Sequence, residues 1–217
     1  MNTIAIDGPA GAGKSTIAKR VAKNLSYIYV DTGAMYRAMA LYLIRNQVKP
    51  EETEKIEKAS EHADISIAYE NGEQQVLLNG ENVTSLLRTE EVGNMASKSS
   101  ANPKVRTKLV ELQRKLASKQ PVVMDGRDIG TQVLPNANIK IYLTASTHTR
   151  ALRRYKELNE KGESCNLQTI EEDIALRDHQ DMTREISPLK KAEDAVLLDS
   201  SDMTIDEVVS KIMGMVK

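Results

Sequence analysis

The chain has 217 residues, a formal net charge of −1 and 28% charged residues, so no global basic field draws it to nucleic acid. Seven Tyr with no Phe and no Trp argue against a surface that stacks single-stranded bases. The single cysteine, Cys165, excludes an intrachain disulfide and a cysteine-rich metal site, and His62, His148 and His179 lack the spacing of a zinc site.

In chain order, the first predicted element is an apolar strand, Thr3–Asp7. With a strand starting by residue 3 and no apolar run of membrane-spanning length, the expectation is a soluble, cytoplasmic protein without a leader. The strand runs into Gly8-Pro9-Ala10-Gly11-Ala12-Gly13-Lys14-Ser15-Thr16, followed directly by a helical pattern (Ile17, Val21, Leu25). Strand, G-x-x-x-x-G-K-[ST] and helix together make a P-loop. Its backbone N–H groups are expected to curl around phosphate oxygens, with Lys14 reaching the β/γ-phosphates and the Ser15 hydroxyl on Mg²⁺. The motif predicts binding of a nucleoside triphosphate. It does not say what becomes of the γ-phosphate, because kinases, GTPases and motors share it.

A second strand is predicted at Tyr27–Val30, then Asp31-Thr32-Gly33-Ala34-Met35-Tyr36-Arg37 opens a helix. A ligand facing the P-loop would approach there, outside the carboxyl end of a strand. An ordinary helix cap is the bland alternative for the Asp-x-Gly. Residues 60–95 break the β/α alternation: Ile65–Tyr69 and Gln75–Leu78, with Asn71-Gly72 and Asn79-Gly80, read as a small antiparallel meander. Either this insertion is padding or it walls one side of a second site. Asn102-Pro103 marks a helix start, and Thr169-x-x-Glu172 and Thr204-x-x-Glu207 fit capping boxes.

Further strands are predicted at Val122–Asp125, Ile139–Leu143 and Ala195–Leu198, completing a doubly wound, five-stranded parallel sheet flanked by helices. Asp125 ends its strand behind the P-loop magnesium, and Gly126-Arg127-Asp128-Ile129-Gly130-Thr131 follows at the mouth of the sheet or as a plain surface turn. Arg150, Arg153 and Arg154 cluster on one helical segment. Arg177, Asp181 and Arg184 are spaced to share a face of the next, within about 60° at 3.6 residues per turn. Joined by the polar Lys161-Gly162-Glu163-Ser164, these helices suit a lid whose arginines fork onto phosphates, although a solvated ion-pair ladder has the same spacing. A guanine-reading Asn-Lys-x-Asp element is lacking, which argues against a GTPase, and the chain is small for a motor.

Gly8–Thr16, Asp31–Arg37, Gly126–Thr131 and Arg177-Asp178-x-x-Asp181-x-x-Arg184 together resemble the bacterial cytidylate (CMP) kinase family, from the first strand to the last helix and including the insertion. The resemblance implies a P-loop kinase fold with residues 1–31, 100–150 and 190–217 as core. It assigns 32–99, with the insertion at about 60–95, to monophosphate binding, and 151–187 to the lid. It implies Mg²⁺-dependent transfer from ATP to CMP or dCMP by a monomer. Lys14, Arg127, Arg177, Arg184 and Asp125 would serve the chemistry, Gly8–Thr16 (Gly8, Pro9, Ala10, Gly11, Ala12, Gly13, Lys14, Ser15, Thr16) with Arg153 and Arg154 would hold ATP, and Ser15 and Asp125 the metal. Thr32, Arg37, Arg127 and Arg184 would hold the acceptor phosphate, with Arg177 and Asp181 on the sugar and Ser97, Arg106 and Asp128 on the base. Ser99 and Ser100 lie close to Ser97 in the same run. Thr32 stands where some relatives have Ser and keeps the hydroxyl. A carboxylate at 128 accepts from the cytosine amine but opposes the uracil carbonyl, so CMP is expected over UMP. Kinases of UMP, shikimate or dephospho-coenzyme A, and a nucleotide-binding regulatory switch, are the competing readings.

Overall fold

Short Val- and Ile-rich runs bounded by turn residues become strands, and the amphipathic stretches between them become helices. The structure, a computed structural model, describes residues 2–216. In chain order the elements are β1 (Thr3–Asp7), α1 (Lys14–Leu25), β2 (Ile28–Asp31), α2 (Thr32–Arg45), α3 (Thr53–His62), β3 (Ile65–Glu70), β4 (Glu73–Leu78) and β5 (Glu81–Asn82). There follow α4 (Glu90–Ser99), α5 (Pro103–Ala117), β6 (Val122–Gly126), β7 (Ile139–Thr144), α6 (Thr147–Glu160), α7 (Leu167–Thr183), β8 (Val196–Asp199) and α8 (Ile205–Met213). Every predicted strand of the main sheet forms to within one residue at either end. The sheet has five strands in the order β2-β6-β1-β7-β8.

The chain divides into two compact units, residues 28–121 and residues 2–27 with 122–216. In the second, β1 pairs in parallel with β6 (Thr3↔Val122 to Asp7↔Gly126) and with β7, and β7 with β8. Ile4, Ile6, Met124, Ile141, Leu143 and Ile212 are almost wholly buried; each such side chain contributes roughly 1.5–3 kcal/mol relative to an exposed one. This packing fixes the carboxyl ends of β1 and β6, where polar residues follow the apolar run. The Thr204 capping box is present at α8, its hydroxyl accepting from Glu207 N and the Glu207 carboxylate from Thr204 N.

Residues 28–121 hold the insertion, a three-stranded antiparallel sheet β3-β4-β5. Both Asn-Gly pairs take the left-handed conformation that two-residue hairpins require (Asn71 φ 53°, Gly72 φ 79°; Asn79 φ 50°, Gly80 φ 83°). The sheet leans on β2 through polar bonds: Gln74 Oε1 accepts from Asp31 N at 2.8 Å, and Tyr69 Oη donates to the Tyr29 carbonyl at 2.9 Å. Asn102 caps α5 with Pro103 as its first residue.

Two local expectations are corrected. Helix α7 starts at Leu167, not after Thr169, because the Asn166 carboxamide accepts from Thr169 N and caps the helix three residues earlier. Arg184 is not on the arginine face of a helix. The backbone leaves α7 there (φ −60°, ψ 141°), and the Arg184 guanidinium turns back to donate to the Ser187 carbonyl at 2.7 Å. Among the described residues no helix is long and apolar enough to cross a membrane.

Candidate active site

At the end of β1 the chain swings into the P-loop through Gly8, where only glycine fits: a Cβ there would lie 1.9 Å from the Leu143 carbonyl oxygen. Lys14, the first residue of α1, is 6% exposed and its Nζ donates to the Pro9 carbonyl at 2.7 Å. Burial, then the charge of Arg127, lowers its amine to about 7, against the pull of Asp125, Asp7 and Asp181. Beside it Ser15 Oγ donates to Asp125 Oδ2 at 3.1 Å, and Asp125 is itself buried. A hydroxyl next to a carboxylate is a hard oxygen pair of the kind Mg²⁺ takes from proteins, which supply it few ligands beyond substrate phosphates and water.

Asp7 is the buried carboxylate that sequence reasoning passed over. Its two oxygens accept from Ile129 N at 2.8 Å and Gly130 N at 2.7 Å. Burial raises it to about 6, with those two amides working the other way. The approach is close enough that a Cβ on Gly130 would fall 3.3 Å from Asp7 Oδ2 and 3.2 Å from the Lys140 stem. The signal was available: the rule applied to Asp125, a carboxylate ending an apolar strand, applies equally to Asp7, which pairs with Gly126 one step further along the same ladder.

Pinned by Asp7, the turn after β6 is a π-helical turn, Ile129–Val133, rather than a surface turn, and Asp128 is buried at 4% exposed. Arg127 Nε donates to Asp181 Oδ2 at 2.8 Å, and Arg184 Nη1 lies 3.7 Å from Asp181 Oδ1. Lys14, Ser15, Asp125, Arg127, Asp128, Asp181 and Arg184 thus belong to one unit, in which hydrogen bonds join Ser15 to Asp125 and Arg127 to Asp181. Arg177 sits on α7 one turn before Asp181, exposed. Arg153 donates to the Ser200 carbonyl at 2.7 Å, and Arg154 pairs with Glu157 at 3.0 Å on an exposed face. The arginine that reaches the P-loop is Arg150, whose Nη1 donates to the Ala10 carbonyl at 2.9 Å. Its neighbour Ala151, the one alanine of α6, was the weak sequence sign of which face is packed.

The remaining expected acceptor residues lie in residues 28–121. Asp31 caps α2 by accepting from Ala34 N at 2.9 Å. Thr32 is buried in the first turn, and the Arg37 guanidinium folds back over Gly33, whose added Cβ would stand 3.7 Å from both terminal nitrogens. Arg106, 4% exposed, stacks on Tyr36 with 5.5 Å to the ring centroid and donates to the Ser100 carbonyl at 3.2 Å. Ser97 is exposed and Ser99 buried, and it is the backbone carbonyl of Ser100 that accepts this Arg106 bond.

Comparison with known proteins bears on this arrangement. The chain is 51% identical over 214 residues to a cytidylate kinase of Lactobacillus johnsonii, covering 99% of this chain and 93% of that one. It is 48% identical over 215 residues to a cytidylate kinase of Bacillus subtilis, covering 99% and 96%. In fold it is similar to an uncharacterized protein from Eubacterium ventriosum, with TM-score 0.54, 12% identity, and 99% and 97% of the two chains covered. The family model for cytidylate kinase matches residues 4–217, and the chain belongs to the cytidylate kinase family.

Proposed function

We propose that this chain transfers the terminal phosphoryl group of ATP to CMP or dCMP in the cytoplasm, giving ADP and the diphosphate. The observation that carries the reading is the shared strand end. Asp7 closes the strand that enters the P-loop and, through two backbone amides, holds the turn bearing Arg127 and Asp128. One oxygen of the acceptor phosphate forms the new bond to the γ-phosphorus as the bond to the ADP oxygen breaks, and little covalent help is needed from the protein. Positioning and charge supply the catalysis. Lys14 neutralises the donor phosphates, and their negative charge restores the proton that burial disfavours. Ser15, backed by Asp125, would hold Mg²⁺, which supplies charge neutralisation and orientation of the phosphates.

Thr32, Arg37, Arg127 and Arg184 are assigned to the acceptor phosphate, Arg177 and Asp181 to its sugar, and Arg177 also to the phosphoryl transfer itself. A buried carboxylate at 128 supports a base with an amine at that edge, and Arg106, braced by Tyr36, supports donation to ring acceptors. Arg153 and Arg154 remain assigned to ATP on the lid helices. Coupled ADP release, run in parallel with CMP, UMP, AMP and shikimate, tests the reading. Turnover with CMP well above the others is expected. A preference for any of the other three would replace the substrate, and no acceptor-dependent release would end the kinase reading.

A further inference from the structure

Helices α6 and α7 pack on one another, yet α7 has a single buried side chain among the described residues, Ile174. A buried ion pair links α7 to the P-loop. The Arg150 side chain is 4% exposed and forks onto Asp178, Nη2 to Oδ2 at 2.6 Å and Nη1 to Oδ1 at 3.1 Å. The same guanidinium donates to the Ala10 carbonyl at 2.9 Å, to the Ala145 carbonyl at 2.9 Å and to Thr147 Oγ1 at 3.2 Å. Its stem fills the space beside Gly11, where a Cβ would come within 3.3 Å of Arg150 Cβ. Arg150 therefore holds the apex of the phosphate loop and α7 with one guanidinium, its Nη1 donating to both.

Asp178 immediately follows Arg177 and lies one turn before Asp181, which holds Arg127. We propose that Arg150 and Asp178 are positioning residues that lock α7 to the P-loop and so aim Arg177 at the phosphoryl group in flight. The proposal rests on the kinase reading for the role of Arg177 but not for the lock itself. A bidentate Arg–carboxylate pair fixes distance and rotation together, which a lysine or an amide does not. Misplacement of about 1 Å costs on the order of 100-fold in rate, so the lock would show in turnover before it shows in binding.

Two variants and two readouts test it. Asp178→Asn keeps the shape and loses the charge, and Arg150→Lys keeps the charge and loses the fork. The first readout, amide hydrogen exchange, needs no turnover: exchange along residues 174–181 should accelerate at least about 10-fold in both variants while α1 stays as in the wild type. Unchanged exchange in α7 overturns the lock, whether or not the chain phosphorylates CMP. The second readout is kinetic, taken well below the melting temperature of each variant. We expect kcat to fall about 10- to 100-fold with KM for ATP and CMP within about threefold, and the double variant to be no worse than the poorer single one. Freed exchange with kcat within about twofold of wild type overturns the role in aiming Arg177. Additive losses overturn the claim that the two residues act as one unit.

Discussion

The strand-end cluster and the helix pair α6–α7 are both rich in charge, and they are held in opposite ways. At the strand ends Asp7, Lys14, Asp125 and Asp128 are each 6% exposed or less, with backbone amides, a carbonyl or a hydroxyl as partners among them. On α6 and α7 most side chains face water, and only Arg150, Ala151 and Ile174 are buried among the described residues. Buried polar networks are costly when broken and rigid when complete. Damage to the first region should therefore reach the global fold, whereas damage to the second should loosen α7 locally and cost turnover.

The largest effect is expected from Gly8→Ala. The new Cβ would meet the Leu143 carbonyl, which is sheet backbone and cannot move aside, so the variant should fail to give a cooperative unfolding transition. A folded, active variant would mean that the loop's approach to β7 is adjustable. Lys14→Ala comes next: removing the γ-phosphate contact should lower kcat by about three orders of magnitude or more, and near-normal turnover would refute its place at the donor phosphates.

For Asp128→Ala, steady-state kinetics with both pyrimidines should show kcat/KM for CMP falling about 10- to 100-fold, ATP parameters little changed, and the CMP:UMP preference collapsing. A preserved preference would place base reading elsewhere.

Asp7→Asn probes rigidity through pH. The Asp7 carboxyl titrates near 6 in the fold, raised by burial from the 3.8 of an ordinary carboxyl. The folded state therefore binds an extra proton between these values. The contribution to stability is fully present below about pH 4 and is lost as pH rises through 6. Urea denaturation should show the wild type gaining about 2–3 kcal/mol over the Asn variant between pH 7 and pH 4. A constant difference would show that the carboxyl is not held as described. Smallest is Arg154→Ala, where an exposed pair with Glu157 is lost. Thermal melts should be unchanged to within about 0.5 kcal/mol, while a raised KM for ATP would support its donor role and an unchanged KM would remove it from that set.

Much of this contrast was legible in the chain itself. Strand placement followed from short apolar runs, and the P-loop from spacing plus context. The hairpins followed from two Asn-Gly pairs whose left-handed conformation few other residues adopt. What escaped was tertiary. Asn166 and Thr169 are both competent caps, and spacing could not say that the Asn166 carboxamide would accept from Thr169 N and start the helix earlier. Helical spacing put Arg184 on the face of Arg177 and Asp181, but a helix can end before its pattern does, as α7 does at Thr183. Of three neighbouring arginines on α6, spacing could not say which one turns inward; the structure chooses Arg150 and leaves Arg154 in water. Asp7 was hidden by its own motif, because the glycines that follow it drew the reading past the strand end.

The most direct measurement follows the labelled γ-phosphate of ATP in the presence of CMP and Mg²⁺. The expected result is label in CDP, appearing at a rate that saturates with CMP and vanishes without it. Label released only as inorganic phosphate, at the same rate with and without CMP, would contradict it.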